Sequence, residues 1–270
     1  MSSLQNFSGT LVLVGAGKMG GAMLDGWLAL GLAPDKIAIL EPTPSPDIAA
    51  LAARGVRLNA PVRDARVIVL AIKPQEAAAV VPTLKSMLGD TLVVSVMAGK
   101  TLGFLQSALT PGTAIVRAMP NTPAAIGRGI TVATANAKVT PAQRTLADTL
   151  LAAVGAVEWV ADESLLDAVT AVSGSGPAYV FLLAESLAHA GAAAGLPADL
   201  AARLARATVA GSGELLHRSP LDAATLRQNV TSPGGTTAAA LSVLMAADGL
   251  DPLLAKAVAA ATRRSKELAG

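Results

Sequence analysis

In the stretch Gly15-Ala16-Gly17-Lys18-Met19-Gly20, glycines occur with the spacing G-x-G-x-x-G. The stretch directly follows the β-rich run Leu11-Val12-Leu13-Val14 and precedes a segment with the apolar spacing of a helix. Gly15 permits a tight turn, Gly17 lets a ligand approach the backbone, and Gly20 allows close packing of helix on strand. The amides of the helix N-terminus favour an anion such as a pyrophosphate. This context predicts a dinucleotide site, with a glycine-rich turn that binds nothing as the alternative.

Working outward from this turn, the first half of the chain alternates short β-rich runs with helical segments. The runs are Leu11–Val14, Lys36–Leu40, Val67–Ile72, Leu92–Val96 and Ala114–Arg117. Such alternation predicts βαβ units around a parallel sheet. Most runs are apolar at successive positions, as expected where helices cover both faces of the sheet. We therefore predict a Rossmann-like, doubly wound α/β domain over residues 1–162.

The second half has a different composition. Beyond about Asp162 the β signal disappears, and Ala- and Leu-rich segments are separated by Gly and Pro, which predicts an all-helical domain over residues 163–270. Its segment from Pro177 to Gly195 carries only Glu185 and His189 as strongly polar side chains. Burial in the domain core and burial between subunits are the alternatives. The subunit interface is favoured, because a small helical domain has limited means of covering so much apolar surface.

Composition narrows the classes of protein. Of the 270 residues, 52% are hydrophobic and 15% charged, which excludes a disordered chain. The net charge of +2, without basic and aromatic residues clustered together, argues against nucleic acid as a partner. A structural metal is not expected, since the chain has no cysteine and two histidines, His189 and His217. The N-terminus lacks the pattern of a signal peptide, and no run approaches ~18 uninterrupted apolar residues, so no membrane partner and a cytoplasmic location are expected.

The identity of the dinucleotide depends on the end of the second strand. Glu41 lies about 20 residues beyond the glycine turn, where an acidic side chain commonly accepts a hydrogen bond from the ribose 2′-OH of NAD. The following Pro42-Thr43-Pro44-Ser45 offers hydroxyls and a turn for a 2′-phosphate, with Arg54 as a nearby cation. An exposed, solvated Glu41 is an equal alternative. The sequence therefore leaves NADH and NADPH open.

Two further loops are expected to close over the cofactor. Ala71-Ile72-Lys73-Pro74 and Met97-Ala98-Gly99 each follow a predicted strand at its carboxyl end. Ligands of open α/β sheets bind along that edge. Pro74 fixes a turn just past a buried strand, which favours a cofactor-facing Lys73 over a merely solvated one.

Along nearly its whole length the chain resembles the pyrroline-5-carboxylate reductase family. Besides the glycine turn and Ala71–Pro74, the resemblance is carried by Arg117-Ala118-Met119-Pro120-Asn121-Thr122-Pro123, Ser173-Gly174-Ser175-Gly176-Pro177-Ala178-Tyr179 and Val230-Thr231-Ser232-Pro233-Gly234-Gly235-Thr236-Thr237. The last of these is the family's own signature. The family implies a Rossmann-like domain, a helical domain that dimerises, higher oligomers of dimers, and reduction of 1-pyrroline-5-carboxylate to L-proline by NADPH or NADH.

The resemblance also assigns site residues. To the cofactor it assigns Val14, Gly15, Ala16, Gly17, Lys18, Met19, Gly20, Asn59, Ala71, Lys73, Pro74, Ala98 and Gly99. To the substrate it assigns Glu163, Thr170, Val230, Ser232, Pro233, Gly234, Gly235, Thr236 and Thr237. Thr237 is the candidate catalytic residue that contacts the imine nitrogen, with Glu163 a weaker candidate. Tyr179 and His189 are expected to be core or interface residues.

Ser232 to Thr237 has the composition of a glycine-rich turn that enters a helix. Accessible amides in such a turn can bind a carboxylate, whereas the Thr hydroxyls by themselves are often only helix caps. The resemblance favours substrate binding. The chain departs from the family at one place. Several members carry a glutamate just before the helix that leads into the Ser232 turn, but the stretch Arg218-Ser219-Pro220-Leu221-Asp222 has none, and Asp222 is the carboxylate near that position.

Two other classes compete with this assignment. A β-hydroxyacid dehydrogenase shares the plan of sheet and helical domain but depends on a lysine of the long central helix, and no lysine occurs between Pro177 and Gly195. A dinucleotide-sensing protein without turnover would keep the Gly15 turn and would not need Ser232 to Thr237. Consumption of NAD(P)H with pyrroline-5-carboxylate distinguishes the enzyme from the sensor.

Overall fold

The computed structural model describes residues 3–63 and 65–269. The chain divides into two compact units, one formed by the residues up to Gly174 with those from Thr262 onward, the other by Ser175–Ala261. The first unit is α/β and the second is helical. The predicted fold class, a Rossmann-like domain followed by helices, is confirmed. The predicted boundary after residue 162 stays a prediction.

The first unit is built on an eight-stranded sheet. Its strands are β1 Thr10–Val14, β2 Ile37–Leu40, β3 Arg57–Leu58, β4 Ala65–Leu70, β5 Leu92–Ser95, β6 Ala114–Met119, β7 Gly129–Ala135 and β8 Gly155–Trp159. They lie in the order β3-β2-β1-β4-β5-β6-β7-β8. The first six are parallel, β7 is antiparallel to β6, and β8 is parallel to β7. The expectation of a parallel sheet is therefore correct through β6 and wrong for β7 and β8, which run opposite to the first six strands.

The reversal at β7 follows from the length of its connection. Residues 120–128 join β6 to β7 and contain one short 3₁₀ helix, Thr122–Ile126. A parallel neighbour requires a crossover of about a dozen residues or more, usually with a helix. The connection from β7 to β8 is longer and contains helix α5 (Pro141–Ala152), so it can form a crossover, and β8 is parallel to β7.

Helices cover both faces of the sheet. In this unit they are α1 Lys18–Ala29, α2 Pro46–Ala50, α3 Ala77–Val80, α4 Leu102–Ala108, α5 and α6 Leu165–Val169. Leu11 and Leu13 of β1 belong to the core with α1 and α5, while Val12 and Val14 belong to the core with α3 and α4. The Trp27 indole donates to the Leu150 carbonyl at 2.9 Å and joins α1 to α5. Burial on both faces explains the successive apolar positions of the strands.

The second unit contains helices only. They are α7 Gly176–Ala193, α8 Ala198–Arg218, α9 Ala223–Asn229, α10 Thr236–Leu244 and the first part of α11 Leu250–Ala269. α7 and α8 pack against each other across a turn at Gly195, which has a φ of 101°. No residue of α7 is buried, and Phe181 is 68% exposed. The alternative of α7 as a core helix of its own subunit is therefore wrong, and its burial between subunits stays a prediction.

The helical stretch Leu165–Ala193 contains α6, a π-helical turn at Thr170–Gly174 and α7. It is long and apolar enough, with a mean hydropathy of 1.3, to span a membrane by length and composition alone. The stretch also contains Pro177, Glu185 and His189. Core helices of soluble proteins meet the same criterion, so the stretch is weak evidence for a membrane.

Candidate active site

The glycine-rich turn has the geometry that its spacing predicts. Gly15 has a φ of 89°, and a Cβ on it would lie 2.8 Å from the backbone carbonyl of Ala71. A Cβ on Gly20 would overlap the Gly15 carbonyl oxygen. A Cβ on Gly17, the N-cap of α1, would meet no described atom within 4 Å. The fold thus requires glycine at 15 and 20, whereas Gly17 keeps open the space above the N-terminus of α1.

A cavity of about 720 Å³ lies beside this turn. Its wall comprises Val14, Gly15, Ala16, Gly17, Leu40, Glu41, Pro42, Thr43, Ser45, Asn59, Ala71, Ile72, Lys73, Glu76, Val80, Thr83 and Leu84. These residues follow the carboxyl ends of β1, β2 and β4. The strand order reverses between β1 and β4, and open α/β sheets bind their ligands at such a switch point.

Glu41 is fixed at the edge of this cavity. One carboxylate oxygen accepts a hydrogen bond from the Ala16 amide at 3.0 Å, and the other accepts from the Thr43 amide at 3.1 Å. The Asn59 side chain accepts from the Glu41 amide and donates to the Glu41 carbonyl, both at 2.9 Å. Asn59 has a φ of 51°, and its own amide donates to the Ile39 carbonyl at 2.8 Å. The Asn59 side chain therefore extends the pairing of β2 with β3 by one residue.

The residues of this cavity fit a dinucleotide. The first-turn amides of α1 have no acceptor within the helix, and no side chain caps Gly17, so these amides are available to a pyrophosphate. The adjoining cavity offers room for an adenosine, with Lys73 exposed on its wall. In the described part of the chain, no three His, Cys, Asp or Glu side chains form a group that could hold a metal ion.

The structure brings together some of the predicted cofactor residues. Val14 to Gly17, Asn59, Ala71 and Lys73 line the 720 Å³ cavity. Lys18 lines a neighbouring hollow of about 530 Å³, and Met19 packs against the core. Pro74 begins a 3₁₀ helix after Lys73. Their roles in binding stay predictions.

Ala98 and Gly99 form a turn just after β5 and do not line the cavity. Gly99 has a φ of 70°, and a Cβ there would lie 3.1 Å from the Leu268 carbonyl. The turn lies at the carboxyl end of β5, next to β4 on the same edge of the sheet as the cavity. Its contact with the cofactor stays a prediction.

Several wall residues were not predicted from the sequence. Glu76, Val80, Thr83 and Leu84 follow Lys73 on a stretch of short helices. The sequence did hold a signal for them, because this stretch begins at the carboxyl end of the predicted strand that became β4, and ligands of open α/β sheets bind along that edge.

Glu163 forms contacts that the sequence did not predict. One of its carboxylate oxygens accepts from the Arg117 guanidinium and from the Leu102 amide, each at 2.7 Å. The Arg117 side chain is 7% exposed and that of Glu163 is 28% exposed. Thr170 donates its hydroxyl to the Leu166 carbonyl at 2.7 Å, within its own helix. Both predicted substrate residues thus have partners in the first unit, and their contact with substrate stays a prediction.

The turn of residues 230–237 lies in the second unit and leads into α10. Gly234 has a φ of 69°, and the Gly235 amide donates to the Ser232 carbonyl at 3.1 Å. Gly235 is the N-cap of α10, and no side chain caps the helix. Within the described chain, the hydroxyls of Thr236 and Thr237 are not used as caps. The first-turn amides of α10 and these hydroxyls are therefore available to an anionic ligand.

Asp222, the carboxylate near the missing glutamate, caps a helix. It accepts a hydrogen bond from the Thr225 amide at 2.7 Å, at the N-terminus of α9. That hydrogen bond holds the pKa of the Asp222 carboxyl below its usual value. Asp222 therefore caps α9, and the described part of the chain gives no sign that it replaces the missing glutamate.

Comparisons with known proteins identify relatives of the chain. Residues 163–268 match the family model for pyrroline-5-carboxylate reductase dimerisation, and residues 10–99 match that for NADP oxidoreductase, coenzyme F420-dependent. A curated pyrroline-5-carboxylate reductase of Pseudomonas aeruginosa is 41% identical over 264 residues, covering 96% of each chain.

Two solved structures of such enzymes are also similar. That from Coxiella burnetii has a TM-score of 0.89 at 36% identity, covering 97% of this chain and 99% of the other. That from Plasmodium falciparum, with NADP bound, has a TM-score of 0.82 at 29% identity, covering 98% and 99%. Identity at this level over nearly the whole of both chains leaves one conclusion: the chain belongs to the pyrroline-5-carboxylate reductase family.

Proposed function

We propose that the protein reduces the C=N bond of 1-pyrroline-5-carboxylate with NADPH or NADH and forms L-proline, the last step of proline biosynthesis. One observation carries the proposal: a chain of this family combines an open glycine turn at a sheet switch point with an uncapped turn, residues 230–237, at a helix start. The two turns provide the two binding functions that the reaction needs, one for a dinucleotide and one for a small carboxylate.

The residues of the chain bind and orient the reactants. The α1 amides and Gly17 hold the pyrophosphate, and the wall from Glu41 to Lys73 holds the adenosine. The nicotinamide, when bound, supplies the hydride. At α10, the amides of Thr236 and Thr237 and the positive end of the helix dipole hold the substrate carboxylate.

The proton at the imine nitrogen requires a separate account. A protonated imine is electrophilic at carbon, so the substrate reacts best as its iminium form. Thr237, half-buried and not used as a cap, is the side chain we assign to the nitrogen, where its hydroxyl accepts the N–H. Glu163 is the weaker candidate, because one of its oxygens already pairs with Arg117 and Leu102.

Steady-state assays with purified protein test the proposal. We expect NADH or NADPH to be consumed with pyrroline-5-carboxylate, and proline to appear in equal amount. Nucleotide binding without turnover would support the sensor alternative. Oxidation of a β-hydroxy acid in place of imine reduction would support the dehydrogenase, against which the lack of a lysine in α7 already counts.

The proposal includes the setting of the enzyme. A second copy of the chain is its partner, as a homodimer or a higher oligomer of dimers, since residues 163–268 match a dimerisation model. Neither nucleic acid nor a membrane is required. A cytoplasmic location stays the expectation from the sequence.

A further inference from the structure

Glu41 lies where the two possible cofactors differ. NADH and NADPH are identical except at the adenosine ribose, which carries a 2′-hydroxyl in one and a charged 2′-phosphate in the other. In sheets with this strand order, the side chain that ends the second strand is the one that meets this ribose position. Glu41 directly follows β2 and lines the 720 Å³ cavity. The state of its carboxylate therefore bears directly on the choice of cofactor.

This carboxylate is held in place at both oxygens. To turn away from the cavity, it would have to give up its hydrogen bonds with the amides of Ala16 and Thr43. Asn59 adds a second restraint, because its side chain fixes the amide and the carbonyl of Glu41. Each oxygen still has a lone pair for a further donor. Glu41 is thus a fixed acceptor and not a mobile, solvated side chain.

The cavity wall offers a 2′-phosphate little positive charge, although the hydroxyls of Thr43 and Ser45 can still donate to it. The Thr43 amide donates to Glu41, and the Ser45 hydroxyl accepts from the Ile48 amide at 3.4 Å as the N-cap of α2. Arg54, the cation expected nearby, ends a 3₁₀ helix and is not part of the cavity wall. Among the described wall residues, Lys73 is the one cation, against the acids Glu41 and Glu76.

We propose that Glu41, positioned by Asn59, makes this enzyme prefer NADH to NADPH. The carboxylate accepts a hydrogen bond from the ribose 2′-hydroxyl and repels a 2′-phosphate. This inference rests on the cofactor site of the proposed function. A hydrogen bond to a charged group alone corresponds to a preference of about tenfold or more, and like-charge repulsion increases it.

Nucleotide titrations test the preference without substrate. NADH and NADPH are titrated into the protein by calorimetry, and 5′-AMP and 2′,5′-ADP serve as a second pair that differs at the same position. We expect each 2′-hydroxyl compound to bind at least about tenfold more tightly than its phosphorylated counterpart. Equal or tighter binding of NADPH by the wild-type protein would overturn the proposal.

Variants then assign the preference to residues. Glu41→Gln removes the charge and keeps one acceptor oxygen, while its NH₂ group cannot accept from the second amide, so the NADH to NADPH affinity ratio should fall about tenfold or more. Asp35→Asn is the matched control, because it removes an exposed charge just before β2, at the opposite end of that strand from Glu41, and should keep the wild-type ratio. An unchanged ratio in a folded Glu41→Gln protein would refute the role of Glu41.

Asn59→Gly tests the positioning residue. Glycine accepts the positive φ of this position but lacks the side chain that fixes Glu41, so the affinity ratio should move toward that of Glu41→Gln. A purely structural role would lower stability and leave the ratio unchanged, which would overturn the part assigned to Asn59. Absence of turnover with pyrroline-5-carboxylate would count against the proposed function alone, since these titrations need no substrate.

Discussion

At the scale of single residues, the glycines of the first turn perform different tasks. Gly15 and Gly20 are required by the fold, because a side chain on either would collide with backbone atoms. At Gly17 a side chain would meet empty space in the protein alone, so we predict that the ligand and not the fold requires glycine there. The position in the motif predicts these tasks, and the distances at Gly15 and Gly20 agree with the tasks assigned to those two positions.

Replacing Gly17 with Val is therefore expected to abolish NAD(P)H binding in a protein that still folds. The Val side chain would occupy the space that the pyrophosphate needs. Gly17 has a φ of −71°, which a Val accepts without strain. Calorimetry with NAD(P)H and thermal unfolding measure the two parts of this prediction. Unchanged affinity in a folded Gly17→Val protein would remove the dinucleotide site from this turn.

Gly20→Ala provides the contrast. Its Cβ would overlap the Gly15 carbonyl oxygen, so this smaller substitution is expected to destabilise the protein more than Gly17→Val does. Equal melting temperatures for the two variants would contradict the division of tasks.

Thr237→Ala is expected to lower kcat/KM for pyrroline-5-carboxylate and to leave NAD(P)H affinity nearly unchanged. A hydrogen bond to a charged group contributes about 1.5–3 kcal/mol, which corresponds to a rate loss of roughly tenfold to over a hundredfold. Thr237 lies at the start of α10 in the second unit, away from the glycine turn in sequence and in domain.

Thr236→Ala in the same turn is the control, since it tests for a loosened helix start. Small and equal effects of the two substitutions would favour capping over substrate contact. Full kcat/KM in Thr237→Ala would refute the role of this hydroxyl and leave the reductase assignment standing.

At the scale of elements, the pair Arg117 and Glu163 joins three parts of the first unit. Arg117 belongs to β6, the Leu102 amide begins α4, and Glu163 lies just before α6. The Arg117 cation is nearly buried, so its desolvation must be offset by this carboxylate.

Glu163→Gln is expected to lower the free energy of unfolding by about 1–3 kcal/mol, because it leaves the Arg117 cation without a counter-charge. The partial exposure of Glu163 keeps the loss below that of a fully buried pair. Urea denaturation measures it, with exposed Glu158→Gln as a control expected within about 0.5 kcal/mol of wild type. Unchanged stability together with a large loss of kcat/KM would instead support substrate contact by Glu163.

The sequence predicts elements well where the burial pattern is simple. β1, β2, β4, β5 and β6 are central strands, and their uninterrupted apolar runs mark them. Two of the missed strands are short or partly exposed: β3 has two residues, and β8 alternates half-buried and exposed positions. The third missed strand, β7, could have been predicted from its β-branched run Ile130-Thr131-Val132. Its antiparallel direction depends on the short connection of residues 120–128 from β6.

Residues of the candidate site divide in the same way. The turn at Gly15 to Gly20 is local, so its geometry follows from spacing within the motif. The contacts of Glu41 and Glu163 are not local: Glu41 meets Ala16 across 25 residues, and Glu163 meets Leu102 across 61. A spacing rule places an acidic residue such as Glu41 near the dinucleotide, but none connects Glu163 with Leu102, because the sheet order brings these two together.

At the scale of the whole molecule, α7 is the feature that one chain leaves unexplained. Val180, Phe181, Leu182 and Leu183 are between 46% and 68% exposed. Successive residues point to different sides of a helix, so these side chains are uncovered on more than one side of α7. A helix that is apolar all round is normally buried. The dimerisation match over residues 163–268 supports self-association, and a second copy that covers α7 stays the prediction.

Light scattering is therefore expected to show a dimer or a larger oligomer, and Phe181→Glu is expected to shift it toward monomer. A charge at this position would have to be desolvated in the interface, which costs several kcal/mol unless it is paired. Gln106→Glu, which places the same charge on the exposed surface of α4 in the first unit, should leave the oligomer intact. If the wild-type protein were a stable monomer of 26.8 kDa, active at every concentration, burial of α7 between subunits would be wrong. If Phe181→Glu kept the wild-type mass, the interface would have to lie on another part of the helical unit.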